Sequence, residues 1–339
     1  MATMKDIARL AQVSTSTVSH VLNKTRFVSD DIEKRVKQAA KELNYAPSAL
    51  ARSLKMKCTK TLGMLVTTST NPFFGEVLKG VERRCYEKGY NLILCNTEGD
   101  SERMKASIET LLQKRVDGLL LMCSTLEGEK IEIFERYPEL PVVVMDWGPM
   151  EYASDKIQDN SFKGGYLATQ YLIDNGHRNI GCITGPLHRS QASLRFEGFK
   201  QALLDNNLSL NENWITQGNF ECDGGFHAYQ TLKQNTLKQH TKLPTALFVC
   251  NDMMAMGLIN AAIQDGLTIP NDLSIIGYDD IHLTKYITPS LTTIHQPKHQ
   301  LGKVAVDTLL NRLRQPDSPQ QIIQLEPTLV ERQSVYKIH

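Results

Sequence analysis

The stretch VSTSTVSHVLN, residues 13–23, has the length of a short helix but few apolar side chains to anchor it: Val13, Val18, Val21 and Leu22. Ser14, Thr15, Ser16, Thr17, Ser19 and His20 fill the rest. So many hydroxyls on one short helix call for a partner that takes hydrogen bonds. The flanks supply the context. Residues 4–11 carry Ile7, Ala8, Leu10 and Ala11 behind Thr3, which can cap them with Asp6 three residues on. Ser14 can cap residues 15–23, and Ser29 opens a third helix through Ile32, Val36, Ala39, Ala40 and Leu43. Helix, short turn, helix and a supporting helix is the helix-turn-helix plan. With Ala8, Val13, Val18, Val21 and Leu22 as the small core, Thr15, Ser16, Ser19 and His20 point outward. They then suit phosphate oxygens and base edges in a major groove.

Charge points the same way. Residues 1–60 carry 12 Lys and Arg against 5 Asp and Glu, whereas residues 61–339 carry 26 against 32. A basic head on a mildly acidic body points either to a polyanion partner for the head alone or to a solvated basic face.

Next comes NYAPSALARSLKMKCTKT, residues 44–61. Pro47 ends the preceding helical run, and Ser48 can cap a short helix over residues 49–55. Two turns are too few to hold alone in water, so this helix needs support. Leu54 flanked by Arg52 and Lys55 fits either a minor-groove wedge or a plain linker helix.

From Thr61 the texture changes. Continuous apolar runs (TLGMLVT, YNLILCN, VDGLLLM, PVVVMD, IGCITG, ALFVCND, LSIIGYDD) alternate with helical segments near residues 73–88, 102–113, 130–136, 162–175, 194–206 and 254–264. That alternation predicts parallel sheets covered on both faces. There are enough units for two doubly wound lobes, the second resuming after the strand at residues 142–146. The domain plan is therefore a head over residues 1–46, a hinge helix and linker over 47–60, and a two-lobed body over 61–339.

Sheets of this kind bind ligands beyond the carboxyl ends of their strands. The stretches there are TTSTNPFF (67–74), DWG (146–148), GPLHRSQASLRFEGF (185–199), GNFE (218–221), CND (250–252), GYDD (277–280) and TIHQP (293–297). They hold Asn71, Asp146, Arg195, Asn251, Asp279 and Gln296, with Phe73, Phe74, Trp147 and Phe220. Planar polar groups beside aromatic faces suit a sugar, whose C–H surface stacks while its hydroxyls take forked hydrogen bonds.

Several classes are excluded. There is no GxSxG, GxxxxGK[ST] or HExxH, and the nine histidines form no close metal-ligand pair. Asp279 and Asp280 are adjacent, so on extended backbone they face opposite sides, which argues against a catalytic dyad. No catalytic residue, metal site or cofactor is assigned. No apolar run of membrane-spanning length occurs, the N-terminus lacks a signal-peptide core, and the seven scattered cysteines read as reduced thiols of a cytoplasmic protein.

The head closely resembles the LacI/GalR repressors, in MKDIARLAQVSTSTVSHVLN, RFVS and NYAPSALARSL. The resemblance implies that Thr15, Ser16 and His20, with Ser19 on the same face, read double-stranded operator DNA and that Arg26 adds a contact. It implies that Leu54 and Lys55 act from a hinge helix in the minor groove of a central step. It also implies a homodimer on a pseudo-palindromic site. The C-terminal LVERQSVYKIH carries no leucine heptad of the kind that builds tetramers in some relatives.

The body resembles the periplasmic sugar-binding proteins, as effector domains of that family do, and among them the ribose-binding proteins through NPFF, RFEGF and ND. That likeness implies that Asn71, Phe73, Phe74, Asp146, Arg195, Phe220, Asn251, Asp279 and Gln296 hold D-ribose. Thr67 stands where those proteins have a serine, Trp147 where they have an arginine and Tyr278 where they have a phenylalanine. The resemblance thus implies a repressor of ribose uptake and catabolism genes released by ribose. The alternative is a purine-responsive member of the family with hypoxanthine or guanine as co-repressor, to which Trp147 points.

Overall fold

The computed structural model describes residues 2–45, 58–123, 134, 136–146, 154–240 and 242–338. The chain divides into two compact units, Met1–Thr59 and Lys60–His339.

In the first unit, α1 (Met4–Leu10), α2 (Thr15–Asn23) and α3 (Asp30–Glu42) enclose a core of Ile7, Ala8, Ala11, Val18, Val21, Val36 and Ala39. Val13 and Leu22 pack at its margin. Thr3 and Asp6 form the capping box that the spacing predicts, and Ser14 Oγ accepts from Thr17 N at 3.1 Å to cap α2. Ser29 occupies the N-cap of α3 but makes no side-chain cap bond; the acidic first turn of Asp30, Asp31 and Glu33 favours that helix end instead. The turn between α1 and α2 runs through Gln12 in left-handed backbone (φ 51°). Arg35 of α3 secures it by donating to Ala11 O at 2.5 Å. So small a core tolerates little. Ile7→Ala should cost about 2–5 kcal/mol, enough to melt the head alone. In calorimetry the transition of residues 60–339 should stay where it is, while DNA retention is lost. A shift of that main transition would refute the independence of the two units.

The second unit holds two six-stranded sheets of the same winding. The first contains β1 (Thr61–Val66), β2 (Asn91–Asn96), β3 (Gly118–Met122), β4 (Val142–Met145), β5 (Asp155–Asp159) and β11 (Ile322–Leu325), in the order β11-β5-β4-β3-β1-β2. The second contains β6 (Ile180–Thr184), β7 (Ile215–Gln217), β8 (Ala246–Val249), β9 (Ser274–Asp279), β10 (Thr292–His295) and β12 (Thr328–Val330), in the order β12-β10-β9-β8-β6-β7. Among the described residues all pairings are parallel except β10 with β12. Both faces of each sheet are covered. Leu62, Met64 and Val66 of β1 meet α4 (Pro72–Glu87) and α10 (Lys298–Arg314), while Leu65 meets α5 (Ser101–Gln113). The second lobe packs α6 (Ser161–Asp174), α7 (Ser190–Asp205), α8 (Cys222–Lys238) and α9 (Asp252–Gln264) about its sheet.

Two corrections to the sequence reading follow. The chain leaves the first lobe after β5 at Asp159, one strand later than the 142–146 boundary. It then returns, so that α10 and β11 complete the first sheet before β12 closes the second. The chain therefore crosses between the lobes three times. The helices at 222–238 and 298–314 were not anticipated, and the helix expected near 130–136 falls largely outside the described residues.

Three helix pairs meet through glycines. A Cβ on Gly165 of α6 would lie 2.0 Å from Arg195 O of α7, and one on Gly198 2.0 Å from Phe162 O. Gly225 of α8 and Gly257 of α9 abut Met254 O and Cys222 O in the same way, and Gly80 of α4 and Gly302 of α10 abut His299 O and Val77 O.

Candidate functional site

On the first unit, Thr15 and Ser16 are exposed at the N-terminus of α2, Ser19 and His20 are half-buried one turn on, and Arg26 is exposed beyond it. His20 Nδ1 is 2.9 Å from Thr25 Oγ1, and Asn23 Nδ2 donates to Ser19 O at 2.9 Å. The face is thus ordered at its C-terminal end and open at its N-terminal end, where the helix dipole favours phosphate. Leu54 and Lys55 lie outside the described residues, as does Trp147.

The second unit brings the other expected residues to the carboxyl ends of both sheets. Each sheet reverses its winding at one point, between β1 and β3 and between β6 and β8, and such switch points form ligand crevices. Thr67 follows β1, Asp146 follows β4, Asn251 follows β8, Asp279 ends β9 and Gln296 follows β10. Thr67, Asn71, Phe73, Phe74, Asp146, Arg195, Phe220, Asn251, Asp279 and Gln296 are all buried. Three of them, Asp146 (φ 49°), Phe220 (φ 71°) and Asp279 (φ 108°), sit in left-handed backbone, a strain that persists only where the surroundings impose it.

Their roles divide. Asn71 Oδ1 caps α4 through Phe73 N at 3.0 Å, and Asn251 Oδ1 caps α9 through Met254 N at 2.9 Å. Asn251 Nδ2 also donates to Phe220 O at 2.8 Å. Phe73 and Phe74 stand edge to face, 5.6 Å apart, and belong to the first lobe's apolar core. Arg195 is the centre of charge. Its Nη1 donates to Cys250 O at 2.6 Å and lies 3.6 Å from Asp279 Oδ1, and its guanidinium stacks 3.7 Å from the Tyr278 ring centroid. Burial opposes that charge, but Tyr278, Asp279, Asp159 and Asp146 outweigh it and push the pKa up.

Two carboxyls are correspondingly perturbed. Burial, reinforced by Asp159, pushes Asp146 well above the usual carboxylate range. Burial raises Asp279 to about 6, against the pull of Arg195 and Lys298. Several polar atoms of this group are buried and have no hydrogen-bond partner among the described residues: Thr67 Oγ1, Asp146 Oδ2, Arg195 Nε and Nη2, and Gln296 Oε1. Leaving such atoms unmatched costs about 1–3 kcal/mol each, and a partner that both donates and accepts would match them.

Asp159, Gln191 and Glu76 escaped the sequence reading. Tyr278 Oη donates to Asp159 Oδ2 at 2.5 Å, Gln191 Nε2 donates to Asp146 O, and His282 N donates to Glu76 Oε1 at 2.8 Å. Each bond joins the two lobes beside the cleft. None of the three residues carries a sequence signal: DKIQD is too polar to read as a buried strand, although its burial alternates in the structure, and Gln191 and Glu76 are lone polar residues on helices.

Comparisons with known proteins bear on both units. A family profile described as bacterial regulatory proteins, lacI family, matches residues 3–48, and one for a periplasmic binding protein-like domain matches residues 169–335. The chain is 56% identical to the ribose operon repressor of Escherichia coli (strain K12) over 334 residues, covering 98% of this chain and 100% of that protein. It is 52% identical to the HTH-type transcriptional repressor PurR of Aliivibrio fischeri (strain MJ11) over 335 residues, covering 99% and 98%. A structure of the lac repressor dimer bound to operator and the anti-inducer ONPF superposes with a TM-score of 0.86 at 27% identity, covering 99% of each chain. A LacI family transcriptional regulator from Enterococcus faecium with bound ribose superposes with a TM-score of 0.72 at 31% identity, covering 82% of this chain and 100% of that one.

Proposed function

The chain belongs to the LacI family of bacterial regulatory proteins, as a DNA-binding transcriptional repressor rather than an enzyme, and on that premise we propose that its effector is D-ribose. In this reading a cytoplasmic homodimer sits on a pseudo-palindromic operator of ribose uptake and catabolism genes. Thr15, Ser16, Ser19, His20 and Arg26 face the major groove, and Leu54 and Lys55 serve the hinge. Ribose releases the repressor by preferring the conformation that binds DNA poorly.

One observation carries the choice of a polyol. The unmatched buried atoms are one acceptor-only oxygen (Gln296 Oε1), two donor-only nitrogens (Arg195 Nε and Nη2), one hydroxyl able to do either (Thr67 Oγ1), and one carboxyl oxygen that accepts when ionised and donates when protonated (Asp146 Oδ2). Neighbouring sugar hydroxyls donate and accept at once and answer such a mixture with few atoms. The ribose operon repressor's identity over the whole chain supports the same effector.

A purine base is the second reading, favoured by the 52% identity to PurR. Isothermal titration of the full chain separates the two. Heat with D-ribose and none with hypoxanthine is the expected result. Heat with hypoxanthine or guanine alone would make the protein a co-repressed purine regulator and discard ribose.

A further inference from the structure

Asp279 and Asp280 are consecutive residues in left-handed backbone, at φ 108° and 55°. Neither is glycine, so each conformation costs about 1–2 kcal/mol and must be held from outside. The result is a turn that throws the two carboxylates to opposite sides. Asp279 Oδ1 accepts from Gln296 Nε2 at 2.7 Å in the effector cleft. Asp280 faces His295 Nδ1 at 2.8 Å and Arg332 Nη2 at 2.5 Å.

Three side chains from other elements grip the turn. Asp252 Oδ2, at the start of α9, accepts from Ile281 N at 2.9 Å. Glu76 Oε1, on α4, accepts from His282 N at 2.8 Å. Lys298 Nζ donates to Asp279 O at 2.5 Å and to Asp280 O at 2.7 Å, and lies 3.5 Å from Glu76 Oε2. Lys298 is the odd member. Its side chain is 2% exposed, and it is the first residue of α10, the helix end where a cation is disfavoured. Its charge therefore serves something other than its own helix. It also lies in the crossover from β10 to α10, between the lobes.

We propose that Lys298 is a positioning residue of the effector site: its ammonium, fixed on the carbonyls of Asp279 and Asp280 and paired with Glu76, aims the Asp279 carboxylate at the effector and ties it to the helix that carries Phe73 and Phe74. The inference rests on the cleft being the effector site, but not on the effector being ribose.

The groups facing Asp279 are Arg195, Lys298 and Gln296, which favour its charge, and Asp159 and Asp252, whose own charges oppose it. Ionised Asp279 accepts hydrogen bonds from the effector, so affinity should fall as pH drops through about 6. Loss of a neighbouring cation raises a carboxyl, so Lys298→Gln should move that midpoint upward by about one pH unit. Lys298→Arg should restore it.

The test is calorimetric titration of D-ribose into the full chain between about pH 5 and about pH 8, with wild type and both variants. A merely structural lysine would weaken binding at every pH and leave the midpoint in place, which would overturn the proposal. Should Lys298→Gln not fold, Glu76→Gln carries the test. It removes the ammonium's counter-charge and should move the midpoint downward; an unmoved midpoint there overturns the proposal equally.

If the wild-type chain takes no ribose, the effector assignment fails and this one is read without effector, by thermal unfolding between about pH 3 and about pH 8. The folded chain holds the Asp279 proton more tightly than the unfolded chain. Stability should therefore fall as pH rises from the ordinary 3.8 to about 6. That fall should extend to higher pH in Lys298→Gln, and identical profiles for the two chains would refute the role.

Discussion

Arg195→Ala is expected to leave a repressor that binds operator and ignores its effector. The arginine's Nε and Nη2 are buried, have no partner among the described residues, and lie beside Asp279 and the Tyr278 ring. If both donate to effector hydroxyls, two charge-assisted bonds at about 1.5–3 kcal/mol each are lost, roughly a 10²- to 10⁴-fold fall in affinity. Stability falls too. Asp279 keeps its burial but loses its closest guanidinium, and removing one partner of a buried pair typically costs about 3–5 kcal/mol. Arg195→Lys keeps a charge but not the planar fork, and should recover stability more than affinity. Operator binding measured with and without effector decides the matter. A variant that still responds normally would take Arg195 out of the site.

Gly165→Ala is expected to be among the most destabilising methyl additions to the second lobe. The new carbon would sit 2.0 Å from Arg195 O, against main chain that cannot swing aside. The two helices must part, at a cost of about 3 kcal/mol or more, and the melting temperature should fall by roughly 5–10 °C. Because the displaced carbonyl belongs to Arg195, effector affinity should fall with it. Gly75 offers the control: it lies in α4 with nothing within 4 Å of an added Cβ, so Gly75→Ala should stabilise by about 0.5–1 kcal/mol. Equal melting temperatures for Gly165→Ala and wild type would show that α6 and α7 do not meet through glycine.

Much of this architecture is legible in the chain because its signals are local. The capping box at Thr3 and Asp6 and the cap at Ser14 need only a few residues of context. Strand ends such as those before Thr67, Asp146 and Asn251 are marked by apolar runs that stop abruptly. What was missed depends on distant partners. β5 reads DKIQD, too polar for a buried strand until its neighbours β4 and β11 are known. The return of α10 to the first lobe is invisible because nothing in residues 298–314 says which sheet it will cover. The glycines that join helices look like ordinary weak points until their opposite carbonyls are seen. The same holds for Gln191 and Lys298, polar side chains whose meaning lies wholly in what they touch.

The triple crossing between lobes also governs how the protein can be made. The head is closed by residue 59, so it can fold and present its α2 face while the ribosome is still at work on the rest. The first lobe has no such freedom. Its six strands are incomplete until Leu325 has emerged, and until Arg314 has emerged α4 lacks its partner α10. A nascent chain thus carries a closed head long before its first lobe is complete, and the first lobe begun is sealed only after most of the second has been made.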